Sequence, residues 1–150
     1  MPALSTVPIV RLSLVREGGA PYDATEHEQL SSSAAVYKLL APMMEDLDRE
    51  EFYVVALDGK NRFLAINCVS VGTLTASLVH PREIMKPLIL CNAAAGILVH
   101  NHPSGDPTPS AEDIAVTTRL RQVGVLMGIT ILDHVVIGRG CYKSFADEGL

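Results

Sequence analysis

The spacing of hydrophobic positions divides the chain into an N-terminal arm and one domain. Apolar and polar residues alternate over Pro8–Val15, which predicts a short strand, and the glycine- and acid-rich stretch after it predicts a loop. At Ser31 the spacing becomes helical, and a serine of this run can cap a helix that continues to about Met44. We therefore predict an arm over residues 1–30 and a domain over residues 31–150.

The first half of the domain has the pattern of consecutive strands. Glu50–Leu57 is rich in β-branched and aromatic residues, and the turn residues Asp58–Asn61 follow it. This pattern predicts a hairpin in which Arg62–Val71 is the partner strand. Thr73–His80 predicts another strand.

The middle of the domain predicts a helix and then a buried strand. Pro81 suits the first position of a helix that runs to about Asn92, and Pro87 is expected to kink this helix or separate its first turn. The continuous apolar run Gly96–His100 is typical of a strand that is covered on both faces.

The C-terminal third predicts one helix and two strands. Ser110 opens a helix that is expected to end near Gly124, and strands are predicted at Ile129–Asp133 and His134–Ile137, before an irregular tail. Strands that come first, with interposed helices and mostly hairpin connections, indicate the α/β class. The predicted fold is a single-domain mixed β-sheet sandwiched by helices, rather than a doubly wound nucleotide-binding fold.

Composition narrows the function classes. The 150 residues are 48% hydrophobic and 19% charged, which excludes a disordered chain. The net charge is −5 and the twelve Lys and Arg residues are scattered, so strong direct nucleic-acid binding is not expected. Three widely spaced cysteines, with no signal peptide and no membrane-length apolar run, predict a cytoplasmic protein that does not enter a membrane.

The chemistry is concentrated between residues 100 and 113. His100 and His102 are two positions apart at the end of a strand, so their imidazoles project to the same face. Asp113 lies one turn inside the following helix. Two nitrogens and one carboxylate oxygen make three ligands for one divalent metal, and this donor set favours zinc. A fourth position is left for a water that can attack a substrate.

Each of these residues also has a structural explanation. A single histidine in an apolar strand is usually a hydrogen-bonded core residue, and Ser110 with Asp113 fits a helix capping box. The structural explanations do not account for the whole set occurring within fourteen residues. The joint pattern favours a metal site.

The run from His100 to Asp113 resembles the JAMM metal motif, H-x-H-P-x6-S-x2-D, in the wording of the RadC-like branch of the JAB/MPN domain. The resemblance covers about residues 31–148 and implies a fold related to the cytidine deaminases. It further implies a zinc metallopeptidase, in many members an isopeptidase, with His100, His102 and Asp113 as ligands. Ser110 would help to hold the oxyanion, and an upstream glutamate would be the general base.

The resemblance leaves three glutamates as candidates for the base. Glu50 ranks first because the family has an acid two residues before the aromatic residue that starts this strand. Glu83 ranks second, within the Pro81–Glu83 motif, and Glu51 ranks third because it should point to the opposite face. A solvated carboxylate is the structural alternative for each of them.

Two functions remain open from the sequence. The first is a zinc-dependent peptidase or isopeptidase acting on a peptide or protein substrate. The second is a non-catalytic, metal-stabilised binding module in DNA repair or a mobile element. RadC proteins usually carry a helix-hairpin-helix module before this domain, and these residues contain none, so we expect weaker DNA association. A homodimer through strand edges is compatible with the pattern, and His134 is interpreted as a strand histidine in preference to a partner of the metal ligands.

Overall fold

The computed structural model of the chain describes residues 6–21, 32–72 and 79–150. Within these residues the elements, in chain order, are α1 (Ser33–Met44), β1 (Glu51–Leu57), β2 (Phe63–Val71), α2 (Pro81–Leu90), β3 (Ala95–Asn101), α3 (Ala111–Met127), β4 (Thr130–Ile137), β5 (Tyr142–Ser144) and α4 (Phe145–Glu148).

The strands form one mixed sheet in the order β2-β1-β3-β4-β5 over the described residues. β3 and β4 are parallel, and the other neighbouring pairs are antiparallel. Helix α1 packs on one face of the sheet, where Leu40 and Met44 meet Val55 and Val99. Residues of α2 and α3, among them Ile84 and Leu120, pack on the other face. This arrangement confirms the predicted α/β fold.

The elements predicted from residues that are neighbours in the sequence were confirmed. The Ser32 hydroxyl accepts a hydrogen bond from the Ala35 N–H and caps α1, which ends at Met44 as predicted. The β1–β2 hairpin is confirmed, and the Asp58 carboxylate closes its turn by accepting hydrogen bonds from the Lys60 and Arg62 backbone N–H groups. Strand β3 is buried along its whole length, as its continuous apolar run predicted.

Helix α2 begins at Pro81, as predicted, and continues past Pro87 without a break. Pro87 lies on the buried side of the helix. The prediction that this proline separates the first turn was therefore wrong. Of the predicted strand Thr73–His80, residues 73–78 lie outside the described residues, and His80 is the N-cap of α2, where its ring accepts a hydrogen bond from the Arg82 N–H.

The predicted arm strand Pro8–Val15 was wrong. Residues 6–21 have no regular secondary structure, and the side chains of Ile9 and Val15 are exposed. Alternation of apolar residues favours a strand only where a neighbouring strand supplies hydrogen-bond partners. No strand of the described sheet pairs with this segment.

Three predictions near the C-terminus were also wrong. Helix α3 does not stop near Gly124 but continues to Met127, with Gly128 as its left-handed C-cap. The strands predicted at Ile129–Asp133 and His134–Ile137 are one strand, β4. The tail, predicted to be irregular, contains β5 and α4.

Candidate metal centre

The end of β3 and the first turn of α3 bring three side chains together. His100, His102 and Asp113 form the one group of possible metal ligands found in the described residues, and their ligand atoms lie within 4.8 Å of one another. His100 and Asp113 are buried, and the side chain of His102 is 13% exposed. A group with one partly accessible side leaves room for a ligand from outside the protein.

The distances within this group suit a tetrahedral ion. His100 Nε2 lies 3.0 Å from His102 Nε2 and 3.2 Å from Asp113 Oδ1, and His102 Nε2 lies 3.3 Å from Asp113 Oδ2. Ligand atoms that bind zinc tetrahedrally at their usual bond lengths are about 3.3 Å apart. The donor set and the spacing therefore fit one divalent metal with three protein ligands.

Hydrogen bonds outside the group orient each side chain. His102 Nδ1 donates to the Asp106 carbonyl oxygen at 2.8 Å, which leaves Nε2 as the atom that faces the group. Ser110 and Asp113 form the capping box that the sequence allowed: Ser110 N–H donates to Asp113 Oδ2, and Asp113 N–H donates to the Ser110 hydroxyl oxygen. The same bonds that begin α3 thus fix the position of the Asp113 carboxylate.

The charges of the group depend on one another. Burial opposes ionisation of Asp113, but hydrogen bonds from His100 and His102 outweigh it and hold the pKa of Asp113 well below its usual range. The hydrogen bond with Asp113 raises the pKa of His102, and the Asp106 carbonyl and the charge of Glu50 add to this effect. Asp113 is therefore a carboxylate at neutral pH, as a metal ligand must be.

The loop between the histidines and α3 is held against the turn that joins β4 to β5. His102 N–H donates to the Ile137 carbonyl oxygen, and Arg139 N–H donates to the Gly105 carbonyl oxygen. A Cβ on Gly138 would collide with that same Gly105 oxygen, so only glycine permits this approach. The fixed loop supplies the Asp106 carbonyl that orients His102.

The structure separates the three candidate glutamates. Phe52 pairs with His100 in the antiparallel β1–β3 register, and continuing the register by two residues sets Glu50 opposite His102. The contribution of Glu50 to the raised pKa of His102 agrees with this proximity. Glu51, as predicted, faces the other side of the sheet, where its carboxylate accepts a hydrogen bond from the Tyr53 hydroxyl at 2.8 Å. Glu83 lies in the first turn of α2 and forms an ion pair with Lys86.

Two further residues lie beside the group: Asn101, for which the sequence suggested no role, and His134, which is a residue of strand β4, as interpreted, and also contacts His100. Asn101 is buried, its Oδ1 accepts a hydrogen bond from the Glu51 N–H at 2.7 Å, and its Nδ2 donates to the Arg49 carbonyl oxygen at 3.0 Å. His134 lies 2.7 Å from His100, nitrogen to nitrogen, and is completely buried. A polar side chain in each of two largely apolar strands was the available signal, but a sequence does not show which residue each would meet.

A family model for the RadC-like JAB domain matches residues 30–150. The chain belongs to this family. Among curated proteins it is 54% identical over 121 residues to a UPF0758 protein of Symbiobacterium thermophilum and 50% identical over 121 residues to one of Methanosarcina mazei. A UPF0758 protein of Desulfitobacterium hafniense is 51% identical over the same length. These matches cover 81% of this chain but only 52–53% of the relatives, so this RadC-like chain spans about half of their length.

The family that the sequence motif resembled is thereby confirmed. The names of these relatives state no activity and no metal. None of the helices in the described parts of the chain is long and apolar enough to cross a membrane.

Proposed function

We propose that this RadC-like JAB domain is a zinc-dependent hydrolase that cleaves a peptide or isopeptide bond in a protein or peptide substrate. The observation that carries the proposal is the convergence of His100 Nε2, His102 Nε2 and an Asp113 carboxylate oxygen at distances suited to a tetrahedral ion. Zinc bound by three protein ligands supplies a coordinated water that ionises near neutral pH.

Glu50 is the residue that we assign as general base. The β1–β3 register, continued by two residues, and the effect of the Glu50 charge on the pKa of His102 support this assignment. A carboxylate near the ligand group can take a proton and return it to the leaving amine. Glu51 faces the other side of the sheet, and Glu83 is paired with Lys86, so both are weaker candidates.

Ser110 is assigned to the oxyanion. Its hydroxyl oxygen accepts the Asp113 N–H at 3.1 Å, and this cap uses the oxygen lone pair but not the hydroxyl hydrogen. That hydrogen can therefore donate to a developing negative charge while the cap stays intact.

The second candidate is a metal-stabilised binding module without catalysis. The capping box favours it, because Ser110 and Asp113 already have a structural task in beginning α3. A structural zinc site, however, is normally closed by four protein ligands, and the group in the described residues has three. The open position makes a hydrolase the better proposal.

Metal content is the first test. We expect about one equivalent of zinc in the wild-type protein and almost none in the His100→Ala/His102→Ala double variant, measured by elemental analysis after growth with zinc. Equal, negligible metal in both proteins would reject the hydrolase and also the metal stabilisation of the module, and would leave only a binding module without metal.

The second test separates catalysis from metal binding. Glu50→Gln removes the proposed base and should abolish turnover in a screen of peptide and isopeptide substrates while zinc content stays at the wild-type level. Glu51→Gln is the matched control, because this neighbouring carboxylate lies on the opposite face of the sheet and should retain activity. Loss of activity in both variants would contradict the assignment of Glu50.

A further inference from the structure

We infer that Thr117 and His134 are positioning residues that fix the hydrogen-bonding direction of His100 and leave its Nε2 atom directed at the metal. The inference rests on the proposed metal site and names two residues outside the ligand set. Both are buried, with Thr117 1% and His134 0% exposed.

The Asp113 backbone carbonyl oxygen fixes the direction of the hydrogen bonds that connect it through Thr117 to His134. Thr117 Oγ1 lies 2.6 Å from the Asp113 backbone carbonyl oxygen, which can only accept, so the Thr117 hydroxyl donates its single hydrogen there. Thr117 Oγ1 also lies 2.6 Å from His134 Nδ1 and must accept from it. His134 therefore carries a hydrogen on Nδ1.

The hydrogen bond between His134 and His100 also has a fixed direction. Complete burial of His134 favours an uncharged ring, and an uncharged ring with its hydrogen on Nδ1 has none on Nε2. His134 Nε2 lies 2.7 Å from His100 Nδ1, and it accepts the Nδ1 hydrogen of that residue. The His100 Nε2 atom is then the one that lies among Asp113 and His102.

A continuous series of hydrogen bonds joins two of the candidate ligands. It runs from His100 to His134 and Thr117 and ends at the Asp113 backbone carbonyl. The ring of His100 and the backbone of Asp113 are thus connected through the same two residues. Outer partners of this kind commonly change metal affinity by about 10–100-fold when removed.

Packing keeps His134 from turning away. Its ring stacks on Phe145 with 4.8 Å between ring centroids and meets the edge of Phe52 at 5.3 Å. A rotated ring would lose both nitrogen partners in a place with no exposure to water. The aromatic contacts therefore support the orientation that the hydrogen bonds define.

Thr117→Val tests the inference, because it removes the hydroxyl and nearly conserves the shape. Thr118→Val is a matched control: Thr118 is the next residue of α3, and its hydroxyl makes the same kind of bond, to the Ile114 carbonyl oxygen at 2.9 Å, but on the exposed side. Thr117→Ser keeps the hydroxyl and serves as the rescue variant. Zinc affinity of each full-length protein is measured by competition with a chromophoric chelator.

We expect Thr117→Val to bind zinc about 10–100-fold more weakly than the wild type, and Thr118→Val and Thr117→Ser to bind it as the wild type does. Equal affinity of Thr117→Val and Thr118→Val would overturn the inference and leave the proposed function standing. Absence of zinc binding by the wild type would overturn both.

A second measurement uses the metal-free wild-type protein, so its result does not depend on zinc binding or on whether a variant folds. Long-range proton–nitrogen correlation spectra of the metal-free wild-type protein distinguish which ring nitrogen of each histidine carries hydrogen. We expect hydrogen on Nδ1 in both His100 and His134 and a lone pair on His134 Nε2. Hydrogen on His134 Nε2 with a bare Nδ1 would overturn the inference.

Discussion

Asn101, between the two candidate histidine ligands, holds the backbone on both sides of Glu50. Its side chain accepts from the Glu51 N–H and donates to the Arg49 carbonyl oxygen. We predict that Asn101→Ala lowers the free energy of unfolding by about 1–3 kcal/mol, because two backbone groups lose their partner. Urea unfolding of the metal-free protein measures this change.

Asn101→Asp is the comparison for that prediction. It keeps an acceptor for the Glu51 N–H but sets a second acceptor oxygen against the Arg49 carbonyl and buries a charge, so it should be at least as destabilised as Asn101→Ala. If Asn101→Ala proves as stable as the wild type, the contacts around Glu50 contribute nothing to the fold.

His134 gives the metal-free protein a specific pH dependence. Its folded-state pKa is lowered by burial, so between that value and its ordinary pKa near 6.5 the unfolded chain binds the proton and the folded chain does not. Stability should therefore fall as pH decreases from 6.5 to 5, by at most about 1.4 kcal/mol per pH unit for one proton.

The His134→Gln variant should lose this slope in urea unfolding between pH 5 and 6.5. The raised pKa of His102 gives a slope of opposite sign around pH 6.5 that is common to both proteins, and Asp113 takes up its proton only in stronger acid, so the difference between wild type and variant reports on His134. An identical slope in wild type and variant would contradict the origin in His134.

At the scale of the elements, the turn between β4 and β5 supports the loop that carries the candidate ligand His102. We predict that Gly138→Ala destabilises the protein by about 1–3 kcal/mol and weakens zinc binding, because the added Cβ would force the Gly105 carbonyl and its loop away. Thermal unfolding and zinc titration measure the two effects. Gly59→Ala is the control, since a Cβ there meets nothing within 4 Å and should change neither.

The elements that the sequence predicted correctly are those whose signals are local. A cap at Ser32, the turn at Asp58 and the apolar run of β3 act within a few residues. Gly124 misled the prediction because it is not a helix end: a Cβ there would collide with the Ile129 carbonyl oxygen. A glycine that permits close packing looks the same in a sequence as one that ends a helix.

Long-range contacts explain the other errors and the missed residues. Asp133 and His134 suggested a break in β4, but both are buried, and the Asp133 carboxylate accepts hydrogen bonds from Ser144 and Ala146 of the tail. These bonds also order α4, which has no strong signal of its own. The candidate ligands could be predicted because they share one short motif, whereas the hydrogen-bond partners of the Asn101 and His134 side chains are 17 or more positions away.

At the scale of the whole molecule, metal binding should stabilise the fold. A ligand at 100 times its dissociation constant that binds only the folded state adds about 2.7 kcal/mol. For a domain of this size that corresponds to a rise in melting temperature of roughly 5–10 °C. We predict this difference between zinc-loaded and chelator-treated protein in differential scanning calorimetry.

The His100→Ala/His102→Ala double variant is the control for that measurement, because zinc and chelator should leave its melting temperature unchanged. A wild-type protein that melts at one temperature in both conditions would contradict metal binding to the folded state.

The candidate ligands are close along the chain, while the proposed base is not. His100 and Asp113 are separated by 13 positions, and Glu50 precedes His100 by 50. Closing the short loop costs less chain entropy than bringing β1 beside β3. Under the proposed function, a newly synthesised chain would be able to bind its metal before the sheet is complete and would become competent for catalysis only when β1 pairs. Metal binding and catalytic competence would then be two separate stages of maturation. A preparation in which every molecule has bound metal would still be able to contain inactive molecules.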